Sequence, residues 1–390
     1  MIRIANRLKR LPPYPFAKLE ARASAARARG EDVIDLSIGD PDLPPPAAVV
    51  EAVREGVRRP EFHGYSSSRG EPFFREAVAD WYAARFGVDL DPDREVCCLI
   101  GSKEGLANLA RAYVDPGSTV LCPEPGYPVY AAGATVLNDG TPASAALLPP
   151  AYRFDPDDLD DPNVRLAYLN YPNNPTGAVA SRRDLEACVA KARDRGTLLA
   201  HDLAYSELAF QAEDAPSILQ VDGAKECAVE FHSLSKTFSI TGFRLGMAVG
   251  NSDAVAALTK VKTQLDSGAP KFLQWAGAEA LRLYQGVNPP KEVRAAADTY
   301  RRRLTRLANG LAEHGLPARV PRATFYLWHR VSGDGLTFAE GLAEKNVLVT
   351  PGDAFGRTGG EYVRWAATQP EERIGVALER MGDGLGGAVR

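Results

Sequence analysis

The strongest constraint on this chain is a recurrence. Short apolar runs, most of them closing on Gly, Pro, Asn or Asp, alternate with stretches of helical periodicity. The runs are "DVIDLSIGDPD", "EVCCLIGSKEG", "STVLCPEPGYP", "VRLAYLNYPNNPTG", "TLLAHDLAYSE", "CAVEFHSLSK" and "RLGMAVGN". Such runs suit strands buried on both faces, and the helical stretches suit the crossovers that parallel strands require. The expected class is therefore α/β, a large domain whose mainly parallel sheet is flanked by helices. Between the runs, Phe74, Ala77, Val78, Trp81 and Tyr82 recur at helical spacing after Glu71-Pro72, with the proline suited to a first helical turn. Leu106, Leu109, Ala110 and Tyr113 do the same after "GSKEG".

Near residue 290 the style changes. A long charged helical stretch, "KEVRAAADTYRRRLTRLANGLAEHG", leads into "ATFYLWHRV", "NVLVTPGDAFG" and "EYVRWAAT", which read as a smaller α+β domain. The expected division is an N-terminal arm at 1–45 joining the small domain, a large domain at 46–290 and a small domain at 291–390. A chain of 390 residues suits one large domain with a smaller partner. No apolar run approaches the roughly 20 residues of a bilayer span, so no membrane partner is expected. The net charge of -4 argues against wholesale nucleic-acid binding, and no helix-turn-helix module is evident. The first 30 residues do hold eight Lys or Arg against the single acid Glu20, a solvated basic arm. That start is expected to be mature chain rather than a transit peptide, because "LPPYPFAKL" looks structured. Cys97, Cys98, Cys122, Cys188 and Cys227 show neither metal spacing nor a disulfide framework, and are expected to be reduced core residues of a cytoplasmic protein. The five histidines are dispersed without H-E-x-x-H spacing, and neither a G-x-S-x-G elbow nor a Walker A loop occurs, so no metal or hydrolase site is expected.

In an open α/β sheet the ligand crevice lies beyond the carboxyl ends of the strands. "GSKEG" follows a strand and opens a helix, whose free amides would hold a phosphate; taken alone it reads as an ordinary capped helix. "NNPTG" offers Asn174 on a proline-fixed turn. "HDLAYSE" presents Asp202 and Tyr205 together, and "SLSK" presents Ser233, Ser235 and Lys236, with Arg244 after the next turn. A single lysine there reads as a solvated strand end. The company of Lys236 changes that reading. A lysine held against an apolar sheet can lose its proton and form a Schiff base with an aldehyde cofactor. Asp202 can keep a pyridine nitrogen protonated, and Tyr205 with Asn174 can hydrogen-bond a phenolic oxygen. Serine hydroxyls, helix-terminal amides and Arg244 can neutralise a phosphate. These demands together describe pyridoxal 5′-phosphate.

The chain resembles the fold-type I, class I/II, pyridoxal phosphate-dependent aminotransferases, and among them most of all the LL-diaminopimelate aminotransferases. The resemblance runs nearly end to end, through "LPPYPFAKL", "DVIDLSIGDPDLP", "GSKEG", "PEPGYPVY", "LNYPNNPTGAV", "HDLAYSELAF", "EFHSLSKTF", "TGFRLG", "DSG", "ATFYLW", "VTPGDAFG" and "YVRWAAT". It implies that Lys236 carries the cofactor aldehyde and shuttles the α-proton, and that Asp202 pairs with the pyridine nitrogen. It implies that Tyr127 stacks on the ring, and that Asn174 and Tyr205 hold the ring oxygen. Ser102, Lys103, Ser233 and Arg244 would surround the phosphate, and Tyr65 would reach over from the second subunit of a homodimer. Arg364 would clamp the substrate α-carboxylate, helped by the Gly39 loop, a task suited to a planar guanidinium.

Two segments depart from that family. Where it usually reads like "YPSYEG", with a glutamate that helps recognise the distal amino group, this chain has "YSSSRG", placing Ser68 for the aromatic residue and Arg69 for the acid. After "DSG" it has "APKF", with Pro270 and Lys271. Exchanging an anion for a cation at a site meant for an ammonium costs binding through lost pairing and added repulsion. The substrate is therefore expected to be an α-amino acid other than LL-diaminopimelate, with an anionic far end met by Arg69 and Lys271; the plainer reading of these two is solvated rim cations. The alternative activity is a non-transaminating pyridoxal phosphate enzyme of specialised metabolism, catalysing elimination, replacement or carbon–carbon bond formation on an S-adenosylmethionine-like amino acid. A third reading is a cofactor-binding regulator without turnover.

Overall fold

The computed structural model describes residues 2–12 and 15–382. Pro13 and Tyr14 of "LPPYPFAKL" lie outside the described residues. The strands in chain order are β1 (Ile34–Asp35), β2 (Val96–Leu99), β3 (Thr119–Glu124), β4 (Thr141–Ala146), β5 (Val164–Asn170) and β6 (Leu198–Asp202). They continue as β7 (Ala228–Ser233), β8 (Gly246–Gly250), β9 (Tyr326–Arg330), β10 (Val347–Leu348), β11 (Thr350–Pro351) and β12 (Tyr362–Ala366). Seven of them form the main sheet in the order β2-β8-β7-β6-β5-β3-β4. The run β7-β6-β5-β3-β4 is parallel, and β8 lies antiparallel to both β2 and β7.

The period of two along each strand divides the core into two layers. Val96 and Cys98 of β2 face one side, with Ala167 and Leu169 of β5 and Met247 and Val249 of β8. Cys97 and Leu99, Leu166 and Tyr168, and Ala248 face the other. The helix Pro72–Phe86 covers the first layer with Phe74, Ala77, Val78, Trp81 and Tyr82, all buried. The helix Ser102–Tyr113 covers the second with Leu106, Leu109 and Ala110. Both helices stand where their periodicity places them. All five cysteines are buried and free.

The run "DVIDLSIGDPD" contributes the two-residue β1, which pairs parallel with β10 outside the main sheet. β12 lies between β11 and β9, antiparallel to both. Ile34 and Leu36 join Leu304, Leu307 and Leu311 of the helix Lys291–Glu313, and Leu327, Val363 and Trp365 of the small sheet, in one apolar cluster. β4, "TPASAA", carries no apolar run and escapes sequence reading because it is a mostly exposed edge strand containing Pro142. Among the described residues no helix is long and apolar enough to cross a membrane.

Candidate active site

The carboxyl ends of β2, β5, β6 and β7 meet at one edge of the sheet, since β8 reverses direction between β7 and β2. Asn170 and Asp202 are register partners closing β5 and β6, and Ser233 closes β7 opposite Gly246. Lys236 follows on the one-turn helix Leu234–Thr237. Its ammonium donates to the carbonyl of Gly39 at 2.8 Å. Burial, opposed by Asp40 and reinforced by Arg244 and Arg364, lowers its pKa to about 8. A neutral amine, able to act as nucleophile or base, is thus reachable near physiological pH.

Asp202 is buried, and burial raises its pKa to about 6. The hydroxyl of Tyr130 donates to its Oδ2 at 2.7 Å and the amide of Ala204 to its Oδ1 at 3.3 Å, both favouring the carboxylate. Tyr130 itself was not singled out by sequence, although it lies in "PGYPVY"; a hydroxyl three residues beyond Tyr127 is the signal that was there to find. Its ring packs edge-on against Tyr127, and the Lys103 ammonium lies 5.9 Å from the Tyr127 ring centre. Asn170 holds the turn after β5 by accepting from the Asn174 amide at 2.9 Å and donating to the Asp202 carbonyl at 2.9 Å.

Arg364, on β12, is 2% exposed. It donates to Asn174 Oδ1 at 2.8 Å and to the Ser37 carbonyl at 2.6 Å, while its guanidinium lies 4.1 Å from the Tyr326 ring centre and 4.7 Å from that of Phe355. A planar cation fixed between two rings is preorganised for a carboxylate. Tyr326 is a second residue missed by sequence. Its hydroxyl is 3.1 Å from that of Tyr205, and a Cβ at Gly39 would come 1.8 Å from the same oxygen. Only glycine permits the Gly39 loop to close so tightly on Tyr326.

At the other end of the crevice, Gly101 caps the helix Ser102–Tyr113 at φ +77°, and a Cβ there would lie 2.3 Å from a terminal nitrogen of Arg244. Arg244 occupies the left-handed region at φ +52°, an uncommon conformation for a non-glycine residue. A Cβ on Gly246 would meet the Ser102 amide at 3.0 Å. Burial and the neighbouring Arg244 lower the pKa of Lys103. The first helix amides thus lie beside Arg244, Lys103 and Gly246, the register partner of Ser233, and the Ser235 hydroxyl is buried without a hydrogen-bond partner. This cradle fits a phosphate, Asp202 fits a pyridinium and Lys236 fits an aldehyde, so the residues match pyridoxal 5′-phosphate.

Three further expected site residues, Tyr65, Arg69 and Lys271, lie on the two segments that depart from the family. Tyr65 is 88% exposed. The Arg69 guanidinium donates to the Asp93 carbonyl ahead of β2, and Lys271 opens the helix Lys271–Arg282. The two departing segments nevertheless pack on each other: Ser68 donates to the Asp266 carbonyl at 3.2 Å, and Gln274 donates to Ser66 at 2.7 Å and to the Ala269 carbonyl at 2.7 Å. These hydrogen bonds make the two segments one patch.

The family model for aminotransferase class I and II matches residues 31–381. The LL-diaminopimelate aminotransferase of Desulforudis audaxviator is 46% identical over 390 residues, covering 98% of each chain. That of Aquifex aeolicus is 45% identical, covering 98% of this chain and 99% of the relative. A solved structure described as a probable N-succinyldiaminopimelate aminotransferase from Thermus thermophilus superposes with a TM-score of 0.87 at 39% identity, over 94% of this chain and 98% of that one.

Proposed function

The chain belongs to the class I and II aminotransferases, pyridoxal 5′-phosphate-dependent transferases of fold type I, and from that premise we propose that it transfers the α-amino group of an amino acid whose far end is anionic. Bound in the crevice, pyridoxal 5′-phosphate supplies the aldehyde and the electron-withdrawing ring on which amino-acid α-proton chemistry runs. Asp202, ionised above about pH 6 and supported by Tyr130, would hold the proton on the ring nitrogen. Lys236, with its pKa lowered to about 8 by burial, would take the α-proton as the neutral amine and return it at the neighbouring carbon. Arg364, oriented by Asn174 and the Ser37 carbonyl, would fork the substrate α-carboxylate. Tyr205, Tyr326 and Phe325 form an aromatic wall that restricts water beside Lys236, whose ammonium is 5.9 Å from the Phe325 ring centre.

The substrate class rests on the patch formed by "SSSRG" and "DSGAPKF". Those two segments carry Arg69 and Lys271 against one acid, Asp266, which accepts from Lys262 at 3.1 Å. A patch of this sign favours a carboxylate over an ammonium. The solved relative described as acting on N-succinyldiaminopimelate is named for a substrate with such a carboxylate at its acylated end. The 46% identity to LL-diaminopimelate aminotransferases favours the competing reading, unmodified LL-diaminopimelate. We infer a homodimer in which the exposed Tyr65 and this patch serve the neighbouring subunit's crevice. Arg69→Ala and Lys271→Ala are expected to raise KM for N-succinyl-LL-diaminopimelate roughly fivefold or more with kcat little changed, the pattern of lost ground-state binding. Keto-acid formation followed by mass measurement reads this out, and an unchanged KM in both variants rejects the anionic-end assignment.

A further inference from the structure

Lys262 closes the helix Ser252–Lys262 and is fully buried, yet it takes no part in the crevice. Its ammonium lies 2.5 Å from Glu104 Oε1 and 3.1 Å from Asp266 Oδ2. A buried charge persists only when paired and hydrogen-bonded, and here the two partners belong to two different functional regions. Glu104 stands in the first turn of the helix Ser102–Tyr113. Its Oε1 also accepts from the Ile100 amide at 3.0 Å and its Oε2 from Asn108 at 2.7 Å, so it clasps the strand-to-helix turn that presents the Gly101 amide corner. Asp266 stands in the recognition patch. Its Oδ1 accepts from the Gly268 amide at 2.8 Å and its carbonyl from Ser68 at 3.2 Å. Gly268, at φ +81°, sits so close to the Ser67 carbonyl that a Cβ would fall 2.4 Å from it. One buried cation therefore bridges the turn that would meet the phosphate and the turn that carries the altered recognition residues.

We propose that Lys262 is a positioning residue through which filling of the phosphate corner orders the recognition patch at residues 66–70 and 266–271. An anion held by the Gly101–Lys103 amides and Arg244 fixes the first turn of the helix and with it Glu104. The Glu104–Lys262–Asp266 bridge then fixes Asp266, Gly268 and Ser68. The reading of the patch as a recognition surface is the one proposed above, and the test separates the two ideas.

Backbone hydrogen exchange is measured on the full chain with and without pyridoxal 5′-phosphate, for wild type, Lys262→Met and the triple variant Glu104→Gln, Lys262→Met, Asp266→Asn. The triple variant leaves no uncompensated buried charge, so it preserves the comparison where Lys262→Met alone fails to fold. In wild type, amides of 66–70 and 266–269 are expected to slow at least about threefold on loading, and in the triple variant this response is lost. The triple variant is further expected to raise KM for N-succinyl-LL-diaminopimelate at least about fivefold while kcat stays within about twofold, a split that a general loss of stability does not give. An equal slowing in the triple variant, or none in wild type, overturns the coupling. If wild type turns over no amino acid, the proposed function fails by itself and the exchange comparison still decides on Lys262.

Discussion

Asp202 and Tyr130 show how one hydroxyl sets the working range of a buried carboxylate. Burial raises the Asp202 pKa to about 6, and the Tyr130 donor opposes that rise. Removing the donor in Tyr130→Phe leaves burial less opposed, so the carboxylate should lose its charge at higher pH. The acid limb of the loaded enzyme's kcat/KM profile is expected to move to higher pH, with activity on that limb falling up to roughly tenfold for the loss of one charge-assisted bond. A pH–rate profile with an unmoved acid limb contradicts this assignment. At this scale much of the site was legible: Lys236, Asp202 and Arg364 announce themselves as charges at the ends of, or within, apolar runs. Tyr130 and Tyr326 did not, because an aromatic residue in a buried segment reads as core. Their value lies in where the hydroxyl points, at Asp202 and at Tyr205, which are 72 and 121 residues away along the chain.

The elements around the crevice are assembled through close approaches more than through side-chain bulk. Gly101 both starts a helix at positive φ and admits the Arg244 guanidinium. Gly101→Ala would strain the backbone and push a methyl to 2.3 Å from Arg244, at a cost of about 1–3 kcal/mol. Titration with pyridoxal 5′-phosphate is expected to show at least about tenfold weaker binding, with far-ultraviolet dichroism unchanged; undiminished affinity would remove this corner from the phosphate site. The buried strands and their helices were readable because apolar runs and helical periodicity leave few alternatives. β4 was not, since a strand at the sheet's edge needs no apolar face. The joint role of "SSSRG" and "DSGAPKF" was legible, but not the contacts that join them across about 200 residues: the Ser68–Asp266 hydrogen bond, Gln274, and the close approach of Gly268 to Ser67.

For the whole molecule, buried histidines set the response to acid. Burial lowers His232 to about 3 and His329 to about 4, against an ordinary value of 6.5. Their stabilising effect as neutral groups is complete above 6.5, where neither state is protonated. It is lost as pH falls toward 4, because the unfolded chain takes up protons that the folded chain refuses. Asp202, raised from 3.8 to about 6, acts in the opposite sense over part of that window. The net expectation is a thermal midpoint that falls between pH 6.5 and 4, less steeply in His329→Leu, whose ring nitrogens make no hydrogen bond and pack against Phe338 and Trp365; an identical pH slope in that variant contradicts the account. What enters the assembled crevice is read from the ratio of kcat/KM for N-succinyl-LL-diaminopimelate to that for LL-diaminopimelate, followed as keto-acid formation with the pyridoxal 5′-phosphate-loaded wild-type enzyme. A crevice built for an anionic far end gives a ratio of roughly ten or more; a ratio below one means that it is not.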